Sequence, residues 1–182
     1  CNLAHALASV ASRDDAHRLL PALGHDSEFV RVGAAFALHR IAPESVEDAR
    51  STISTALQNT SVDVRRQAVW AIGQLGAAAQ PLAAQLVAAL PTLIPDPRAY
   101  FFGGGVLGRH STDPSIVLVA TGRSSLPLLM TAMESDNQRV RAMAAVAILR
   151  LDRTQTARVA PILQAARQNT DRSIRFLADM NQ

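Results

Sequence analysis

The chain has 182 residues, 48% of them hydrophobic and only 4% aromatic, with a formal net charge of +3. That length suits one domain, or one stretch of a longer array. A single cysteine excludes an internal disulfide framework and an all-cysteine metal site, and no apolar run reaches the roughly 18–20 residues a membrane-spanning helix needs.

The first stretch, Leu3 to Leu7, overlays on Ala37 to Ile41 at an interval of 34 and reads as the tail of a preceding unit. From there the chain keeps one register. A step ending in arginine recurs at Val30-Arg31, Val64-Arg65, Pro97-Arg98, Val140-Arg141 and Ile174-Arg175, with intervals of 34, 33, 43 and 34 residues. Twelve residues before each arginine stand Leu19, Ile53, Leu86, Leu129 and Leu163, and nine before it stand Ala22, Ala56, Ala89, Ala132 and Ala166. Eight before it come Leu23, Leu57, Leu90, Met133 and, breaking the pattern, Arg167. These offsets share one helical stripe, the first helix of each unit. Polar tetrads follow at 24–27, 58–61, 134–137 and 168–171, rich in turn and N-cap residues. A second helix then opens on the arginine step. Its buried face carries Ala34, Ala68, Phe101, Ala144 and Ala178, then Leu38, Ile72, Gly105, Ile148 and Gln182.

The third unit departs from this rhythm. Tyr100, Phe101 and Phe102 replace alanines, and Gly103 to Gly105 follow. Each glycine costs about 0.8–1 kcal/mol of helix propensity relative to alanine, so the second helix there is expected to be short, kinked or broken. The stretch from Arg109 to Ser125 holds the additional residues. Its β-branched run, Ile116 to Val119, lies between turn signals and reads either as a short helix or as an extended loop. The expected organisation is a single array over 1–182. Its units run approximately over 1–11 (partial), 12–43, 44–77, 78–110, 111–152 with an insertion, and 153–182 (truncated). Neither end shows the polar capping unit that solenoids use, so a slice of a larger array, or ends packed on something else, is expected.

The pattern resembles HEAT repeats, particularly the short bacterial type akin to the phycobilisome-lyase HEAT-like repeats. The residues that carry the resemblance are Leu20 to Leu23 ahead of Asp26 and Val30-Arg31, with Ala34, Ala35 and Leu38. Asp63-Val64-Arg65 with Ala68 and Ile72-Gly73, and Asp136 with Val140-Arg141, Ala144, Ala145 and Ile148, carry it further. The resemblance implies an all-α, right-handed α-α superhelix of about five units, the first and last incomplete, whose second helices line a concave surface. It also implies a structural ladder between units, built from Arg31, Arg65, Arg98, Arg141 and Arg175 with the turn aspartates Asp26, Asp63, Asp96 and Asp136. Half-buried arginines need carboxylate or carbonyl partners, so such a ladder is physically reasonable.

Placed on that architecture, positions one, five, eight and nine after each arginine face the groove. Phe36, His39, Arg40, Arg66, Trp70 and Gln74 then form an aromatic and basic patch, and Trp and Arg are favoured binding anchors. The competing reading packs Phe36 and Trp70 against the neighbouring unit. His5 and His39 share a register, but no HxxxH or CxxC spacing accompanies them, so neither a metal site nor a cofactor is expected. His110 to Asp113 holds triad residue types as sequence neighbours, which is not how triads assemble. The glycine run lacks the Lys-Ser/Thr of a phosphate loop.

The basic residues are all arginine, and alanine fills 33 positions. The sequence pI near 10.3 follows from that bias, whereas a nucleic-acid footprint is a clustered basic face. The expected function is a non-catalytic scaffold that holds a protein or peptide on the concave face. The alternatives are a nucleic-acid-binding array using Trp70, Arg66 and Arg40, and a regulatory module of a larger enzyme. A cytoplasmic location is favoured. A start at Cys1 also admits a lipid-anchored mature lipoprotein, although Asn2 to Leu7 lacks the usual flexible tether and a fragment boundary reads better.

Overall fold

The computed structural model describes residues 11–93 and 113–179, and all regular structure among them is helical. The elements are α1 (Ala16–Leu19, continued as a 3-10 segment Leu20–Gly24), α2 (Glu28–Ile41), α3 (Val46–Leu57), α4 (Val62–Leu75) and α5 (Ala83–Ala89). Beyond residue 112 follow α6 (Pro114–Ala120), α7 (Leu126–Ala132), α8 (Gln138–Leu151), α9 (Thr156–Arg167) and α10 (Arg172–Asp179). The expected second helix after Arg98, with Asp96, Phe101 and the glycine run, lies outside the described residues, as do His5 and His110.

Two rows of helices result. α2, α4, α6, α8 and α10 pack side by side in that order, and α3, α5 and α7 pack in a second row alongside them. The segment 114–120 is therefore a helix that takes the second-helix place between α4 and α8. Its start is legible once known: Asp113 caps it, accepting from the backbone N–H of Ser115 and Ile116, and proline stands at the first helical position. α6 has half the length of α4. Pro114 shares a small cavity with Val69, and the Ala120 carbonyl lies 3.9 Å from where a side chain at Gly76 would begin. α6 thus runs beside the C-terminal half of α4.

The middle turns of the long second helices are buried all round. Val32 to Leu38, Gln67 to Ile72 and Ala142 to Ile148 contain no exposed residue. Alanines at 34, 35, 37, 68, 71, 142, 144, 145 and 147 supply most of the small contacts, and helix separation falls with the size of the side chains between axes.

Each regular turn is closed by the same clasp. The residue two before the N-cap accepts the N-cap N–H with its side chain: His25 from Ser27, Asn59 from Ser61, Ser135 from Asn137, and Asn169 from Asp171. The backbone carbonyl of that same residue accepts Nη1 of Arg31, Arg65, Arg141 or Arg175. Three of these guanidinium groups also bond the next carbonyl, at Asp26, Thr60 and Thr170.

This corrects the expected ladder. The register arginines bond turn carbonyls within their own unit, not the turn aspartates. Asp26 contributes its carbonyl. The Asp63 side chain is exposed and pairs with Arg66 on its own helix, 3.5 Å away. Among the described residues Arg141 bonds the Ser135 carbonyl and not Asp136. The physical reason is reach: an arginine on the first turn of a helix folds back over the preceding loop, where carbonyls lack partners. Contacts between units come from one of these arginines and from two other positions. Arg65 Nη2 reaches the Thr92 carbonyl at 3.3 Å, Gln67 Nε2 donates to the Phe29 carbonyl at 3.0 Å, and Arg139 pairs with Asp171 at 2.7 Å.

Asp171 carries two tasks, capping α10 through the Ser173 N–H and hydroxyl and receiving Arg139 from the unit before. The Ser173 hydroxyl and the Arg139 guanidinium hold its carboxyl down at about 2, against an ordinary 3.8. Asp171→Ala should cost about 1–2 kcal/mol at neutral pH, as loss of a capping carboxylate does. A depressed carboxyl stabilises the fold fully above its unfolded pKa, and that contribution fades as pH falls through the folded value. The gap between wild type and Asp171→Ala in urea midpoint should therefore be constant above pH 5 and shrink from about pH 4 towards pH 2. A gap that persists unchanged at pH 2 would show that the carboxylate is not the source.

Candidate functional site

The expected patch divides into a buried part and an accessible part. Phe36 on α2 and Trp70 on α4 stack with ring centroids 5.0 Å apart and planes tilted by 60°. Phe36 is fully buried and Trp70 is 2% exposed. The expectation that these rings offer a surface to a partner is corrected by that burial: they are the joint between units one and two. Their positions lie in the fully enclosed middle turns, where a large ring fills the space that alanines leave open.

Arg40, His39, Arg66 and Gln74 remain within reach of solvent. The Arg40 guanidinium sits over the Phe36 ring, 5.9 Å from its centroid, at a distance where cation–π attraction operates. Arg66 and Gln74 stand four residues before and after Trp70, on the same helical stripe. The patch is thus two arginines and an amide around a capped aromatic pair. His39 is half-buried. Burial, and then the charge of Arg50, hold its imidazole below its ordinary value, so it is mostly neutral at pH 7. Its Nε2 and the Gln74 Nε2 make no hydrogen bond among the described residues.

Among the described residues no three His, Cys, Asp or Glu side chains come together in a way that would hold a metal ion. His17 donates from Nδ1 to the Asp14 carbonyl, and His25 serves the first turn clasp. Among the same residues no single helix is long and apolar enough to cross a membrane.

Periodic features not singled out from the sequence complete the picture. The clasp residues His25, Asn59, Ser135 and Asn169 stand six before each arginine, a periodicity readable in the sequence. The Arg139–Asp171 latch has no such signal, because it occurs once.

Paired helices in two rows, with an arginine clasp at each turn and a joint of small residues between units, define a helical repeat protein. Residues 16–94 match the family model described as HEAT repeats, and that part of the chain is a HEAT-repeat array. The match is to HEAT repeats in general and carries nothing on the lyase-associated type. Among curated proteins, none gives a significant match. HEAT repeats generally mediate protein–protein interaction, and the family is typically non-catalytic.

Proposed function

We propose that this chain is a non-catalytic scaffold that holds a protein or peptide partner along its second helices, with Arg40, His39, Arg66 and Gln74 as contacts over the units one and two joint. The supporting observation is a set of polar side chains gathered on a rigid base: the exposed Arg40 guanidinium stands over the Phe36 ring, and Arg66 and Gln74 flank Trp70 one helical turn to either side of the buried aromatic pair. Preorganised polar groups on a rigid base lose little entropy on binding. Phe36 and Trp70 hold the base and do not contact the partner.

The test uses charge reversal at accessible positions. Arg40→Glu with Arg66→Glu should abolish co-purification of the partner that binds wild type, while the melting temperature falls by less than about 4 °C, as for a surface change near 1 kcal/mol. Unchanged capture by the double variant would place the binding surface elsewhere.

A further inference from the structure

A walled cavity outside the patch lies between units four and five, with a volume of about 210 Å3. Its walls are Pro161, Ile162, Ala165 and Ala166 of α9 and Ile174 of α10, and Arg141 of α8 enters from the side. Gln138 and Asn169 join across its rim by a hydrogen bond between their side chains. No carboxylate lines it.

The same location recurs between units two and three. Gln138 and Arg141 are the first and fourth residues of α8, as Val62 and Arg65 are of α4. There the slot is closed to about 10 Å3, because Thr92 and Leu93 fill it and Arg65 Nη2 is drawn to the Thr92 carbonyl. In the fifth unit Asn169 stands at the Thr92 position, six before the register arginine, and its side chain bonds Gln138; alanines 165 and 166 line the slot behind it, and Arg141 bonds the Ser135 carbonyl through Nη1. The slot is thus wider than its counterpart between units two and three.

Charge gives the second observation. Residues 138–179 carry eight arginines against three aspartates, a net charge of +5, while the whole chain carries +3. The remainder is net negative, so the field at this end favours an anion.

We infer that this cavity is a binding site for the C-terminal residue of a peptide, with an aliphatic side chain against Ile162, Ile174 and Pro161 and its α-carboxylate on Arg141. The size limits the ligand: about 210 Å3 is below the roughly 300–1,000 Å3 of cofactor- and drug-sized pockets, and suits one residue. The apolar walls select against a bare phosphate, which would leave them in contact with a strongly hydrated anion. The guanidinium selects for a carboxylate through paired N–H donors. The site is separate from the patch of units one and two and does not depend on it.

The test follows backbone amide shifts of the labelled full chain on titration with acetyl-Gly-Ala-Leu, its C-terminal amide, N-acetyl-leucine and inorganic phosphate. The free-acid tripeptide should shift Ile162, Ala165 and Ile174 saturably, and the amide should bind at least tenfold more weakly. Arg141→Gln should lose this binding. Because Arg141 also clasps its turn, a second variant, Ala165→Trp, fills the slot and leaves the arginine in place; it too should abolish the shifts. Arg40→Glu with Arg66→Glu should leave them unchanged. The inference is overturned if acid and amide bind alike, if Ala165→Trp binds normally, or if phosphate or a short DNA duplex displaces the peptide at equal concentration. It is also overturned if N-acetyl-leucine binds while the tripeptide is excluded.

Discussion

Trp70→Ala should destabilise the chain by about 3–5 kcal/mol, the usual cost of emptying a buried aromatic site. The ring is 2% exposed and stacks on a fully buried Phe36, so its loss leaves a cavity in the joint between α2 and α4. Phe36→Ala should cost a similar amount. The double variant should fall short of the sum by about 0.5–1.5 kcal/mol, the coupling expected of a tilted aromatic pair. In a repeat array stability is carried by neighbouring units. Hydrogen exchange should therefore lose protection in α2, α3 and α4 first and retain it in α8 and α9. A loss below 1 kcal/mol in urea titration, or protection lost uniformly along the chain, would contradict the assignment of these rings to the joint. One consequence bears on function. Truncating Trp70 unfolds what it is meant to probe, so binding at this end has to be tested at Arg40 and Arg66.

The fold was legible because its register is written in chemistry that repeats. Apolar residues twelve, nine and eight before each arginine, polar tetrads, and small residues after it all report local geometry, and local geometry is what a helical pair needs. The site was legible only in part. Helical spacing puts Phe36, Arg40, Arg66, Trp70 and Gln74 on related stripes of α2 and α4. It did not tell which of them neighbouring units enclose, because enclosure depends on how closely alanine-rich helices approach. The same limit explains the ladder. Periodicity put Arg31, Arg65, Arg141 and Arg175 in one register, the resemblance implied a structural role for them, and the turn carbonyls that hold them carry no side-chain signature. Ile116 to Val119 marks a different limit. A run rich in β-branched residues between turn signals fits a short helix or an extended loop, and only its neighbours α4 and α8 decide for helix.

Arg65→Ala should be the most damaging of the clasp variants, at about 1.5–3 kcal/mol for a charged hydrogen-bonding group removed from partly buried acceptors. The other register arginines serve turns within their own units. Arg65 does this too, through the carbonyls of Asn59 and Thr60 at 2.7 and 2.9 Å, and in addition ties unit two to unit three at Thr92. For a chain of this length the loss corresponds to a fall of roughly 4–10 °C in melting temperature. Arg175→Ala, which removes a two-carbonyl clasp alone, should cost about 1 kcal/mol less, within the range for single hydrogen bonds. Arg65→Lys should not restore stability. A lysine ammonium is a compact point charge, and it cannot span two carbonyls of one turn and a third across the joint as a planar fork does. Full rescue by lysine would reduce the clasp to simple charge. Equal losses at Arg65 and Arg175 would remove the Thr92 tie from the account.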